Sequence, residues 1–342
     1  MNRIHFILDL RLFDEPTGTD IINATTSSGS GNDLSPELRT YYDRTLLENA
    51  RPNLVYGQFG MKRPIPKNGG QTINFRRFDK LAPATTPLTE GVTPNGSKLN
   101  VTQITATVKQ YGAFYILTDW LQLTAPDAVL TEVTQNLGQN AGETLDTIDR
   151  EAPMTGTNVY YGDGTVNART NITATMLPSL KSLRACVRIL KRNDAPAFEG
   201  GTYVAVIHPD TWFDLTQEIE DLYKYTESGI KKIFEGELGT YQGIRFVETS
   251  RAKIFAKGAG SVGTEVDVYA TLVLGKNAYG ITNISGGALQ TIVKQLGSSG
   301  SLDPLNQRSS AGWKANRVTK ILTETNMIRY EHATSTNEHE AN

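Results

Sequence analysis

The sequence predicts an α+β chain of two domains, or of one domain with large extensions. Three features carry this reading: extended character over residues 72–118, a long amphipathic helix over 124–151, and a second half in which helices and strands alternate. At 342 residues the chain exceeds a typical single domain. Its 14 Tyr, 11 Phe and 3 Trp suffice for a core, and 20% charged residues is not the excess that keeps a chain unfolded.

Residues 14–33 are mostly small and polar and cannot bury enough apolar surface to offset the entropy of ordering. They read as a flexible arm. Upstream, the apolar run around Ile4, Phe6, Ile7 and Leu8 is broken by Asp9 and Arg11, so it is too short for a membrane span or a signal core. Ser35 is placed to cap a helix that Pro36 opens and that ends before Pro52.

Residues 72–76 alternate apolar and polar, the strand period. A loop with Pro83, Pro87 and Pro94 follows, then a second extended run over 99–118. Its apolar set shifts phase between Val101 and Ile104, where a bulge would restore register. Twenty extended residues would reach about 65 Å. Such a run either bends into two strands or projects as an arm toward a neighbouring subunit, and the arm is the reading adopted. Pro83, Pro87, Glu90 and Pro94 are then candidate intersubunit contacts, since a loop of prolines and threonines cannot form its own core.

From Thr124 the period becomes helical. Thr124 and Asp127 fit a capping box, and Leu130, Val133, Leu137, Ala141, Leu145 and Ile148 line one face. Gly138 and Gly142 each cost about 1 kcal/mol relative to Ala, which points to close packing of another backbone. After a polar loop at 158–171 come a helix over 178–191, a strand over 202–207, and a helix with Trp212, Leu215, Ile219 and Leu222 inward. Strands are predicted near 243–248, 252–256, 266–274 and 279–282. Two last extended runs, 289–295 and 313–331, flank a loop at 298–312, and the tail from Thr334 is polar.

Chemistry is sparse. A net charge of −2 gives no basic field to draw the chain onto nucleic acid. The lone Cys186 allows no intramolecular disulfide, fits a reducing cytoplasm, and reads as buried filler. Gly258, Gly260 and Gly263 match the dinucleotide fingerprint literally, but that motif binds pyrophosphate only where a strand meets a helix. Residues 266–269 read as a strand, so a hairpin turn is expected and no cofactor. His5, His208, His332 and His339 are scattered, without metal-site spacing. Asp146 and Asp149, with Glu143 one turn before them, read as a solvated acidic helix face rather than an acid–base pair. Lys181, Arg184, Arg188 and Lys191 form a basic stripe at helical spacing. DNA binding, intersubunit pairing and plain solvation all fit it, and Arg184 and Arg188 are the candidate subunit contacts. No constellation supports an enzyme.

Several separate blocks resemble a family of tailed-phage major capsid proteins: residues 31–37, 45–50, 62–70, 88–94, 193–201 and 301–313, the last containing Asp303, Pro304, Leu305, Asn306, Gln307 and Arg308. The opening 8–13 is similar to the start of phage head proteins. The resemblance covers about 31–331. It implies the capsid fold shared by tailed phages and the herpesvirus shell floor. On that plan, residues 1–57 are an N-terminal arm and first helix, and 58–120 an extended loop. A peripheral domain with a spine helix spans 121–176, an axial domain 177–284, a return to the peripheral domain 285–333, and a flexible tail 334–342.

The implied function is structural: a subunit that assembles with itself into pentamers and hexamers of an icosahedral head in the virion, built in the host bacterial cytoplasm. Implied partners are a separate scaffold protein, a portal at one vertex, a decoration protein, and enclosed double-stranded DNA bound without sequence specificity; no membrane is involved. If the spine helix lines the inner wall, Glu132, Glu143, Asp146, Asp149 and Glu151 would face the DNA and repel it. The rival reading is a host-encoded α/β binding module or hydrolase, separable by particle size.

Overall fold

The computed structural model describes residues 26–27, 33–34, 36–50, 54–78, 81–91, 93, 96–124, 129–223, 237–241, 243–260, 265–298 and 303–336. Strands β1 (Thr26–Ser27) and β2 (Asp33–Leu34) pair antiparallel ahead of helix α1 (Pro36–Ala50). A 3-10 turn at Tyr56–Gln58 leads to β3 (Met61–Lys62), β4 (Thr72–Phe78), β5 (Val101–Thr107) and β6 (Lys109–Thr118), then to helices α2 (Asp119–Thr124) and α3 (Val129–Met154). Next come β7 (Val159–Tyr161), α4 (Leu180–Arg192), β8 (Tyr203–Ile207) and α5 (Pro209–Tyr223). Strands β9 (Glu237–Tyr241), β10 (Ile244–Glu248), β11 (Ile254–Ala259), β12 (Val266–Leu274) and β13 (Tyr279–Thr282) follow. The last are β14 (Leu289–Lys294), β15 (Arg308–Ile321) and β16 (Met327–His332).

The extended run 99–118 is two strands, not one ribbon. β5 pairs with β4 in unbroken antiparallel register from Thr107 opposite Thr72 to Val101 opposite Phe78, so the expected bulge between Val101 and Ile104 is absent. Ile104, Ala106 and Val108 share the inward face, whereas Val101 sits exposed at the far end of the hairpin and answers to no packing phase. After Val108, whose N–H donates to the Gln71 carbonyl (2.8 Å), the chain leaves the hairpin and β6 pairs with β15. Thr124 closes α2, its hydroxyl donating to the Trp120 carbonyl, so it does not cap the long helix as expected. Asp127, the other capping candidate, lies outside the described residues, as do Ser35, Pro52 and Pro94. The predicted run 313–331 is also divided, by a 3-10 turn at Glu324–Asn326. β15 starts at Arg308, inside the expected loop.

The chain packs as two units. The first comprises residues 1–52, 111–142 and 289–315. In it, β14 and β6 both pair with the first part of β15, and α1 packs on the leading half of α3. Gly138 makes that packing possible: a Cβ there would fall 2.7 Å from the Leu46 carbonyl oxygen. Trp313 donates its indole N–H to Asn140 Oδ1 (3.0 Å), and Leu137 is fully buried.

The second unit comprises 53–110, 143–288 and 316–342. Its centre is a sheet in the order β7-β16-β12-β8-β10-β9, with β11 added to β12. β8 and β12 are buried along their whole length because both faces are covered. On one face α4 and α5 pack Leu183, Val187, Leu190 and Leu215 against Ala205, Ile207, Phe246 and Tyr330. On the other, Val204, Val206, Leu272 and Leu274 meet Tyr56, Met154, Tyr279 and Ile281. Ser179 caps α4 by accepting from the Ser182 N–H. The side chains of Ile219 and Leu222 lie outside the described set. β11 and β12 are antiparallel neighbours, so Gly258 lies near the end of strand β11 and Gly260 just past it, not at a helix start; residues 261–264 are outside the described set.

Leu137→Asp places an unpaired charge at a buried position of α3, costing on the order of several kcal/mol unless the carboxyl protonates. Loss of soluble protein is expected, while Glu132→Gln, at an exposed position of the same helix, should be neutral in the same solubility and melting assays.

Candidate assembly interface

The carboxylates of α3 divide sharply. Asp146 and Asp149 are both 0% exposed, which corrects the expectation of a solvated acidic face. Arg317 grips both oxygens of Asp149, and the Thr319 hydroxyl donates to Oδ1. Asp146 Oδ1 accepts the backbone N–H groups of Val55 and Tyr56 (2.7 and 2.8 Å). Its Oδ2 and the Tyr56 hydroxyl are buried with no hydrogen-bond partner among the described residues. Burial pushes the Asp146 carboxyl up to about 6, against the pull of those two N–H donors. Tyr279 donates to the Tyr56 carbonyl (2.6 Å) and closes the cluster. Glu143 pairs with Arg251 and Glu151 with Lys253 and Arg150. The expected DNA-repelling wall therefore does not exist as a row of free carboxylates: of the five, Glu132 is the exposed one without a charged partner among the described residues.

A second ionic group ties β16 to the end of α3. Glu331, fully buried, accepts from Arg169 through both oxygens (2.8 and 2.7 Å) and from Arg329 Nε (2.7 Å). Arg329 also donates to the carbonyl of Met154, which the helix terminus leaves without an intrahelical partner, and to that of Gly156 just beyond it. Arg169 lies over the Phe255 ring at 3.5 Å. His208 and His332, far apart in sequence, both contact the Tyr269 ring. Burial lowers His332 to about 4, so it is neutral; it faces Thr271 and its own neighbour's carbonyl. No cluster able to hold a metal occurs among the described residues. Burial pushes the Cys186 thiol up, as filler requires. These groups hold the fold; they are not a reaction centre.

The candidate contact residues are outside this core. Pro83, Pro87 and Glu90 are exposed, along with every other described residue of 81–91. Leu81, Leu88 and Leu99 are exposed there too, an unusual place for three leucines. On α4, Lys181, Arg184, Arg188 and Lys191 are exposed while Leu183, Cys186, Val187 and Leu190 face the core, so the basic stripe is real and solvent-facing. Sequence reasoning missed the apolar surface on β6 and α2, where Phe114, Ile116, Trp120 and Leu123 are exposed.

Residues 147–320, just over half of the chain, match the family described as phage capsid protein. The chain belongs to that family. Its fold is similar to the capsid of Ralstonia phage GP4, at 13% identity and a TM-score of 0.66 over 82% of this chain and 89% of that one. It is similar to the cyanophage Pam1 capsid at 14% and 0.62, over 94% and 99%, and to the cyanophage P-SCSP1u capsid at 15% and 0.60, over 82% and 89%. A comparison with curated proteins finds no match. The capsid protein is thus a structural subunit of a phage head rather than an enzyme.

The raised pKa of Asp146 makes a pH prediction. Its folded-state value, about 6, lies above the ordinary 3.8, so the site carries no penalty below about pH 3.8. Stability is lost as pH rises through about 6, where the buried carboxyl ionises. Asp146→Asn, which keeps the acceptor for Val55 and Tyr56, should stabilise the capsid protein by up to about 3 kcal/mol at pH 7.5. The gain should vanish near pH 4 in denaturant titrations. Arg317→Met should do the reverse, costing about 3–5 kcal/mol by leaving Asp149 buried and unpaired.

Proposed function

We propose that copies of this chain form the pentamers and hexamers of an icosahedral head that encloses double-stranded DNA. A portal occupies one vertex, a separate scaffold protein guides assembly in the host cytoplasm, and a decoration protein binds outside. On this reading residues 58–120 are the extended loop, 121–176 and 285–333 the peripheral domain, and 177–284 the axial domain. The single observation that carries it is the loop beyond the β4–β5 hairpin. Its described residues over 81–91 are all exposed, leucines and prolines included, so their burial awaits another molecule. A neighbouring copy is the partner that a repeating shell supplies, with Pro83, Pro87, Glu90 and Pro94 at the contact. Interfaces of roughly 1,000–2,000 Å² each, repeated across a shell, give stability collectively.

The basic stripe fits the same picture. Arg184 and Arg188 are exposed on the outward face of α4, one turn apart, where acidic groups of an adjacent copy can reach them. An overall charge of −2 supplies little of the counterion release that drives DNA binding.

Deleting residues 83–95 should leave a soluble, folded subunit that elutes as a monomer and forms no shells; normal heads from the deletion would refute the contact. Reversing Arg184 and Arg188 to Glu should impair assembly without changing how surviving shells hold DNA. Salt-sensitive DNA binding by wild-type shells, abolished by that double change, would make the stripe a nucleic-acid site instead.

A further inference from the structure

β6 is a ten-residue strand with an open edge. Residues 310–315 of β15 are paired on one side by β14, so β6 occupies the other side of β15, and among the described residues no strand lies beyond it. The approach to β15 is close: a Cβ on Gly312 would fall 2.7 Å from Phe114 Cβ. The strand carries large apolar side chains on both faces: Phe114 is 69% and Ile116 57% exposed on one, and Tyr115 is exposed on the other. A long, apolar, uncovered edge is a template for pairing with any extended chain, and natural proteins cover such edges.

The amino-terminal sequence supplies a matching strand. Ile4, Phe6, Leu8, Leu10 and Leu12 fall on alternate positions, the period of a strand with one apolar face, and the segment 4–13 is ten residues long. The intervening residues are His5, Ile7, Asp9, Arg11 and Phe13, of which His5, Asp9 and Arg11 make this the more polar face of an added strand. The chain can also reach. β2, at residues 33–34, lies beside β14, which is two strand spacings, about 10 Å, from β6. The twelve residues from 14 to 25 span up to about 40 Å.

We propose that residues 4–13 add as a strand to the free edge of β6 of the same chain and cover Phe114 and Ile116 in the unassembled subunit. Main-chain hydrogen bonds to the edge give affinity, and the alternate leucines give the face. The inference is independent of how the subunits meet in the shell. It assigns the first residues a task before assembly: they keep subunits from joining through β6.

Hydrogen exchange on the monomeric fraction of the full chain tests this. Peptides covering 109–118 should exchange at least tenfold faster once residues 2–13 are deleted, and a synthetic peptide of residues 2–14 added to the deletion should restore the protection. If the deletion fails to fold, Phe6→Asp with Leu8→Asp in the full chain should give the same deprotection. Exchange of 109–118 unchanged by deletion or by the double substitution would overturn the proposal. So would protection found only in assembled shells, which would place the strand on a neighbouring copy.

Discussion

A carboxylate with no exposed surface holds the second unit together. Asp149 lies on a helix that any periodicity argument makes amphipathic, yet it points inward and is matched on both oxygens by Arg317, with Thr319 completing the set. Burial of an unmatched charge would cost several kcal/mol, so α3 and β15 are obliged to meet in one register. Around that pair the rest falls into place. Asp146, one turn earlier, anchors the backbone at Val55 and Tyr56, and Tyr279 of β13 reaches the same turn. Arg329 and Glu331 of β16 secure the end of the helix against the sheet. Polar groups, rather than apolar contacts alone, therefore fix where the long helix lies.

That constraint changes the electrostatic picture of the shell subunit. A count of carboxylates along α3 suggests a wall of negative charge. Most of that charge is internally neutralised, by Arg317, Arg251, Lys253 and Arg150. The charge presented outward by this chain is better represented by the stripe on α4, whose members face solvent together.

Where periodicity and burial coincide, the sequence is a sufficient guide. α4 is amphipathic, capped by Ser179 and ended in basic residues, and Leu180, Leu183, Val187 and Leu190 recur at helical spacing on its buried face. β8 and β12 read as strands because valine, isoleucine and leucine run through them. Gly138 announces a close helix contact because nothing else explains a glycine there. The failures have a common cause. Asp149 meets a partner 168 residues away and Asp146 one 91 residues away, and no local pattern encodes such distances. The break at Val108 is equally silent, because both strands alternate and only the change of partner, from β4 to β15, separates them. Of the candidate contact surface, the proline-rich loop and the basic stripe were legible as exposed composition. The apolar edge at Phe114 and Ile116 was not, since alternation looks the same on a covered strand and an open one.

On the proposed function, the loop beyond the β4–β5 hairpin finds its burial on another copy of the chain. A reconstruction of the assembled head by electron cryomicroscopy tests it most directly, at a resolution that places the leucine side chains. Leu81, Leu88 and Leu99, exposed in the single chain, should be packed against a neighbouring subunit. Leucines left in solvent, or folded back onto their own subunit, would contradict it.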